Sequence, residues 1–143
     1  MPPAQNSYQT SDLVVDTHAA VWYFANSTEL SPTARNAIND AVGNDETIFL
    51  SAISLVEIVY LIERGRLLPA TLPSLLHALN LPNSSFGMAD LTSGVAQSLA
   101  SVSRAIVSDM PDRIIAATAL HLGLPLITKD RRIQALPNVR AIW

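Results

Sequence analysis

Short apolar runs alternate with longer amphipathic segments from Leu13 to the end of the chain. A short apolar run indicates a buried strand, whereas apolar residues three and four positions apart indicate one face of a helix. This pattern predicts strands at residues 13–15, 47–50, 84–89, 126–128 and 138–143. It predicts helices at residues 18–25, 32–42, 52–64 and 92–103, a short helix that ends at Leu79, and a nearly apolar helix between Asp109 and Gly123.

Residues that start and stop helices support several of these boundaries. Ser31 precedes Pro32, which is typical of a helix start, and Gly43 follows the predicted end of that helix. Thr17 and Ser51 are placed to cap the helices that follow them. Because strands and helices alternate almost throughout, we expect a three-layer α/β fold with a mostly parallel five-stranded sheet flanked by helices.

The length and the first residues define the expected domain. A chain of 143 residues is most consistent with one domain that buries a single core. Residues 1–12 are polar and contain proline, and they lack the basic and apolar regions of a signal peptide. We therefore expect residues 1–12 to be a flexible leader and residues 13–143 to form the domain.

The composition is apolar, with 49% hydrophobic and 15% charged residues. This exceeds what one small core needs, so we expect the helices at 52–64 and 92–103 to contact a second copy or another protein. No apolar run reaches 18 residues, so no membrane span is expected. The absence of cysteine excludes disulfides and thiolate metal sites and is compatible with a reducing cytoplasm, where we expect the protein to be located.

Four carboxylates follow the ends of predicted strands or begin the helices after them. Asp16 ends the first strand, Glu57 lies about two turns into the helix after the second strand, Asp112 is in the first turn of its helix, and Asp130 directly follows the fourth strand. In parallel α/β sheets, ligands bind beyond the carboxyl ends of the strands. We therefore expect all four side chains to face one end of the sheet.

Each acid also has an ordinary structural interpretation. Asp16 is placed as a helix N-cap, and Asp130 as a turn residue. Asp109 and Asp112 have the spacing of a capping pair, and a cap contributes ~1 kcal/mol. Glu57 is the only charged residue between Ala52 and Ile62, so its alternative is a buried arginine partner.

Convergence of the four acids would favour a metal site. Carboxylates about 5 Å apart repel by ~3 kcal/mol per pair at an effective dielectric constant near 20, so either protons or a cation must neutralise them. Oxygen ligands without histidine or cysteine favour Mg²⁺ or Mn²⁺. Such an ion can generate a hydroxide nucleophile and hold a phosphate oxygen. With a net charge of −3, the chain would need such a cation to bind a phosphate ligand.

Several residues near the acids are candidates for supporting roles. Thr17 and Thr128 are candidates to hydrogen-bond a ligand carboxylate or a metal-bound water. Arg113, Arg131 and Arg132 are candidates to contact phosphates or to hold the acids, and they fit an ordinary surface role equally well. His18 is close to Asp16 in the sequence, whereas a structural role is expected for His121 on the back of an apolar helix.

Four sequence segments resemble a known family. Val14-Val15-Asp16-Thr17, the segment from Ser51 to Glu57, the segment from Pro111 to Ala119 and the segment from Gly123 to Asp130 are similar to the motifs of PIN domains. The resemblance extends over residues 13–143 and is greatest to the short VapC-type toxins of bacterial toxin–antitoxin pairs. It assigns the family's conserved acids to Asp16, Glu57, Asp112 and Asp130, and an additional acid to Asp109 as a second-tier ligand.

The resemblance implies a fold and an activity. It implies a parallel sheet in the order 3-2-1-4-5 and Mg²⁺- or Mn²⁺-dependent cleavage of single-stranded RNA by water, which would make the protein an endoribonuclease. It further implies a homodimer and a small antitoxin protein that wraps the toxin, often with an arginine in the acidic site. The alternative is a binding module that has kept the PIN fold and lost catalysis.

Overall fold

A computed structural model describes residues 12–143 of the chain. Within this range a five-stranded sheet has the order β3-β2-β1-β4-β5, and all four strand pairs are parallel. The strands are β1 Leu13–Val15, β2 Ile48–Ser51, β3 Phe86–Ala89, β4 Leu126–Ile127 and β5 Ala141–Ile142. The predicted α/β fold and strand order are therefore confirmed. The expected leader lies outside the described residues apart from Asp12, whose carboxylate accepts a hydrogen bond from the Thr47 N–H.

Helices connect the strands in the predicted order. They are α1 Thr17–Phe24, α2 Pro32–Gly43, α3 Ala52–Glu63, α4 Thr71–Leu79, α5 Ser93–Ser98, α6 Met110–Leu122 and α7 Arg131–Gln134. The short α7 was not predicted, since four residues carry too little periodicity to be recognised. No helix in residues 12–143 is long and apolar enough to cross a bilayer.

Several predicted elements are shorter in the structure, above all the helix expected at 92–103 and the last strand. The helix expected at 92–103 is α5 followed by a 3-10 turn at Leu99–Ser101, and Val102 is already extended. The Arg113 side chain donates hydrogen bonds to the carbonyls of Leu99 and Val102, so it satisfies backbone groups where the chain leaves the helix. The last strand covers only Ala141–Ile142 of the predicted 138–143.

The central strand separates two hydrophobic cores. Leu13 and Val15 of β1 point into a core shared with helices α1, α2, α3 and α4, whereas Val14 points into a core shared with α5, α6 and α7. All three residues are buried because both faces of the sheet are covered, as expected for a parallel sheet. This alternation produces the three layers.

Helix α6 brings one acid to the carboxyl edge of the sheet. Its residues Ile114–Ala119 are all buried, so the middle of the helix is fixed by packing. Asp109 caps its N-terminus, and Gly123 ends it with a φ of 69°, a conformation that glycine adopts without a steric penalty. The first turn, with Asp112, is thereby held in place at the open edge.

The sheet has a crevice beside β1. Strand β1 pairs with β2 on one side and β4 on the other, and Val15 is in register with both Leu50 and Ile127. The chain reaches β2 directly after β1 but reaches β4 only after β3, so the strand order reverses here. In α/β sheets such a reversal opens the crevice in which ligands bind.

Candidate functional site

Three acids that are distant in sequence meet at this crevice. Asp16 follows β1, Glu57 lies in the second turn of α3, and Asp112 lies in the first turn of α6. One carboxylate oxygen of each residue lies within 4.8 Å of one carboxylate oxygen of each of the other two. The parallel register places the ends of β1 and β2 together, and the packing of α6 adds the third acid.

Asp16 is both a helix cap and a member of this cluster. One carboxylate oxygen accepts a hydrogen bond from the Thr17 N–H at 2.7 Å, and the other accepts one from the Thr128 hydroxyl at 2.7 Å. The cap of α1 is therefore Asp16, and the expectation that Thr17 caps this helix is wrong because Thr17 is its first residue. Only 8% of Asp16 is exposed. Because little water competes for these two hydrogen bonds, they fix the orientation of the carboxylate.

Glu57 is held by a hydroxyl group, without an arginine partner. The Thr17 hydroxyl donates to Glu57 Oε1 at 2.5 Å and also contacts Ser54 Oγ at 2.8 Å. No salt bridge to Glu57 occurs within residues 12–143, so the alternative of a buried arginine pair is wrong. Sequence reasoning missed Ser54, although its position three residues before Glu57 places both on one face of α3.

Asp109 and Asp130 are caps that also line the same cavity. The Asp109 carboxylate accepts a hydrogen bond from the Asp112 N–H at 3.2 Å, which is the predicted capping arrangement. Asp130 Oδ1 accepts hydrogen bonds from the N–H groups of Arg132 and Ile133, at 2.8 and 3.1 Å. The capping and metal-site interpretations of these acids therefore do not exclude each other.

The acids surround one open cavity of ≈ 510 Å³. Five carboxylates and one lysine contribute to its lining, together with two aromatic side chains. Sequence reasoning missed Trp22 and Lys129, because it searched for carboxylates: Trp22 lies within α1, and Lys129 follows β4 but is not an acid. The lining residues are Asp16, His18, Ala19, Trp22, Glu57, Asp109, Asp112, Lys129 and Asp130.

The protein environment disfavours the ionised forms of the three clustered acids. Burial is the main cause that raises the pKa of Asp16 and that of Glu57 above their ordinary values. Burial, followed by the negative charges of the surrounding carboxylates, raises the pKa of Asp112 to about 8. A divalent cation would reverse this preference, and three converging carboxylates form an oxygen donor set that suits a hard ion.

The three candidate arginines do not line the acidic cavity. The Arg113 guanidinium donates two hydrogen bonds of 3.1 Å to the carbonyls of Leu99 and Val102, and it does not line the cavity. The expectation that Arg113 contacts phosphates or holds the acids is therefore replaced by a structural role in the turn before α6. Arg131 and Arg132 are exposed on α7 and also lie outside the cavity lining.

His18 and His121, the two histidines considered as site candidates, differ in their surroundings. His18 lines the acidic cavity, one residue after the helix begins. His121 packs against Gly94, where even a single added carbon atom would lie 2.3 Å from the imidazole ring. This close contact between α5 and α6 gives His121 a packing role, as its position on the helix suggested.

Comparison with known proteins identifies the family. The PIN domain family model matches residues 13–139. Ribonuclease VapC22 of Mycobacterium tuberculosis is 32% identical over 134 residues, which cover 91% of this chain and 95% of that protein.

Solved structures share the fold at lower sequence identity. VapBC2 from Rickettsia felis, bound to a DNA fragment from their promoter, has a TM-score of 0.67 at 17% identity and covers 91% of this chain and 96% of that chain. DNA-bound VapBC from Salmonella typhimurium has a TM-score of 0.62 at 20% identity over the same shares of both chains. Since the family model spans nearly all of the described residues, the chain belongs to the PIN domain family.

Proposed function

We propose that this protein is a metal-dependent endoribonuclease that hydrolyses RNA phosphodiesters and acts as the toxin of a toxin–antitoxin pair. The observation that carries the proposal is the meeting of Asp16, Glu57 and Asp112 at one cavity without an arginine or lysine paired to any of them within residues 12–143. The relative named as a ribonuclease covers nearly the whole chain and supports the activity.

Asp16, Glu57, Asp112 and Asp130 would hold Mg²⁺ or Mn²⁺, with Asp109 as a second-tier ligand. When bound, the ion supplies a water of lowered pKa and neutralises charge on the phosphate. Five carboxylates line the cavity, so a phosphodiester would be repelled from it without that positive charge.

The rest of the chain keeps the acids in position. One Asp16 oxygen accepts a hydrogen bond from Thr17, the first residue of α1, and the other accepts one from Thr128, which follows β4. Glu57 accepts a hydrogen bond from the Thr17 hydroxyl. These contacts orient the carboxylates before any ligand arrives, so little conformational freedom remains to be lost on binding. Thr17 and Thr128 are therefore proposed as positioning residues, and Asp16, Glu57, Asp112 and Asp130 as the catalytic acids.

An RNA cleavage assay distinguishes an active nuclease from a PIN domain that has lost catalysis. We expect the purified protein to cleave single-stranded RNA in Mg²⁺ or Mn²⁺ and to stop when a chelator is added. Asp16→Asn and Asp112→Asn should each abolish cleavage, since each removes a ligand charge while keeping the shape of the side chain. Asp40→Asn, which removes an exposed acid on α2, is the matched control. Undiminished cleavage by either cluster variant would refute the assignment.

The proposal also includes a protein partner and a second copy of this chain. Several structures with this fold are complexes of VapB with VapC or of FitA with FitB. Helix α3 exposes Val56, Val59 and Tyr60, with 46, 38 and 56% of each residue accessible, and this stripe would suit a second copy or an antitoxin. We propose a homodimer in the cytoplasm that a small antitoxin protein neutralises.

Expression in a bacterial host tests the toxin role. Growth arrest should require Asp16 and should disappear when the small open reading frame beside this gene is expressed together with it. The two proteins should then elute as one complex in size-exclusion chromatography. Growth arrest by the Asp16→Asn variant would contradict a role for ribonuclease activity in toxicity.

A further inference from the structure

One wall of the acidic cavity is aromatic and cationic. His18 and Trp22 lie one turn apart on α1, with ring centroids 5.5 Å apart and planes inclined by 44°. Lys129 Nζ lies 5.5 Å from the centre of the Trp22 ring. All three side chains line the cavity that holds the acids, and we call them the aromatic wall.

The aromatic wall is supported from behind. Trp143 contacts the Trp22 ring at a centroid distance of 6.0 Å, and both tryptophans pack against the core that contains Leu13 and Val15. Trp22 is only partly buried, so the core holds part of its ring while another part borders the cavity. A large ring that is fixed in this way loses little freedom when a ligand stacks on it.

Among residues 12–143, Lys129 is the only lysine or arginine that lines this cavity, where it accompanies five carboxylates. Its ion pair is with Glu29 at 3.4 Å, and the two side chains are 55% and 60% exposed. An exposed pair of this kind contributes little to stability, so Lys129 can exchange Glu29 for a phosphate at small cost. Its flexible ammonium group suits a phosphate oxygen as a point charge.

We propose that Trp22 and His18 stack a nucleobase of single-stranded RNA next to the bond that is cleaved, and that Lys129 contacts a flanking phosphate. This inference rests on the proposed ribonuclease function and adds the residues that hold the substrate strand. Aromatic side chains stack bases of any identity, whereas bases in a duplex are already stacked and paired. The aromatic wall would thus favour unpaired RNA without reading its sequence.

Tryptophan fluorescence can report directly on the stacked base. The chain contains two tryptophans, so Trp143→Phe leaves Trp22 as the single emitter and Trp22→Phe leaves Trp143. Both are made in an Asp112→Asn background with Mg²⁺, so that the strand stays intact. The probes are an adenosine strand of about 12 nucleotides and an abasic ribose-phosphate strand of equal length and charge, whose binding is measured independently by fluorescence anisotropy.

We expect the adenosine strand to quench Trp22 and to bind at least about fivefold more tightly than the abasic strand. Trp22→Leu should lose this preference, and Trp22→Phe should retain much of it, because phenylalanine still offers a ring. Lys129→Gln should weaken binding of both strands and reduce the slope of log affinity against log salt by ~0.7, the loss of one phosphate contact.

Equal affinity for the two strands would overturn the inference, and so would a Trp22→Leu variant that keeps the preference for adenosine. If RNA is still cleaved in either case, the aromatic wall is structural while the proposed ribonuclease stands. If neither strand binds the Asp112→Asn protein, the inference fails; the proposed function fails with it only if the unsubstituted protein also cleaves no RNA.

Discussion

Replacing Asp112 by asparagine should change how the metal-free protein responds to pH. Burial and the neighbouring carboxylates raise the pKa of Asp112 to about 8 from an ordinary value of 3.8. A group whose pKa is raised in the folded state stabilises the folded protein most at low pH, where the group is protonated in both the folded and the unfolded state. That contribution is fully present below about pH 4 and is lost as the pH rises to about 8.

The size of this effect follows from the two pKa values. A tenfold change in proton affinity corresponds to about 1.4 kcal/mol, so the full difference would amount to about 6 kcal/mol. Asp112 is only partly buried, and water screens its interactions with the other acids, so we expect about 2–3 kcal/mol. Asparagine carries no charge at any of these pH values and should remove this part of the dependence.

Urea unfolding in the presence of a chelator measures the prediction. The free energy of unfolding of the unsubstituted protein should fall between about pH 4 and pH 8.5, and that of Asp112→Asn should fall by about 2–3 kcal/mol less. The two proteins should be of similar stability at the acidic end. Asp40→Asn, which removes an exposed acid, should follow the unsubstituted protein throughout.

Adding Mg²⁺ tests the same carboxylates in the opposite direction, because the cation should favour their ionised forms. Because a cation favours ionised carboxylates, it should stabilise the unsubstituted protein more at pH 8 than at pH 5. If Asp112→Asn follows the unsubstituted protein at every pH, or is the less stable of the two at pH 8 in chelator, the conclusion that burial and the neighbouring acids raise the pKa of Asp112 is refuted.

Three further predictions concern neighbouring residues. Glu57→Gln should raise the melting temperature in chelator at pH 8, since burial and nearby acids raise the pKa of Glu57 and its charge therefore opposes folding; a lower melting temperature would contradict this. Arg113→Met should lower the free energy of unfolding, measured in urea, by about 2–3 kcal/mol, because two backbone carbonyls lose their hydrogen-bond donor. Replacing the exposed Arg131 by methionine should change this free energy by less than about 0.5 kcal/mol. Equal effects of the two substitutions would argue against the structural role of Arg113. Thr128→Val removes a hydrogen bond to Asp16 and should weaken Mg²⁺ affinity in calorimetry by about tenfold, while unchanged affinity would show that Thr128 does not position this acid.

Local signals were sufficient to predict much of the fold. The buried strand at 13–15, the cap at Asp109 and the stop at Gly123 all depend on residues next to one another in the chain, so the sequence contains the information directly. The family resemblance added the strand order, which periodicity alone does not specify. The expectation that the acids meet at one edge could also be made from the sequence, because they stand after strands and at helix starts and the carboxyl ends of parallel strands share one edge.

The long-range contacts of side chains were decided by the tertiary structure. Thr17 and Glu57 are 40 positions apart, and Trp22 meets Trp143 only because α1 and the end of the chain pack beside the same core. Arg113 adjoins Asp112 in sequence, yet it points to the carbonyls of the preceding turn, because successive helix residues project in different directions. A sequence specifies which groups are available, and the packing of α3 and α6 against the sheet determines which of them share a cavity.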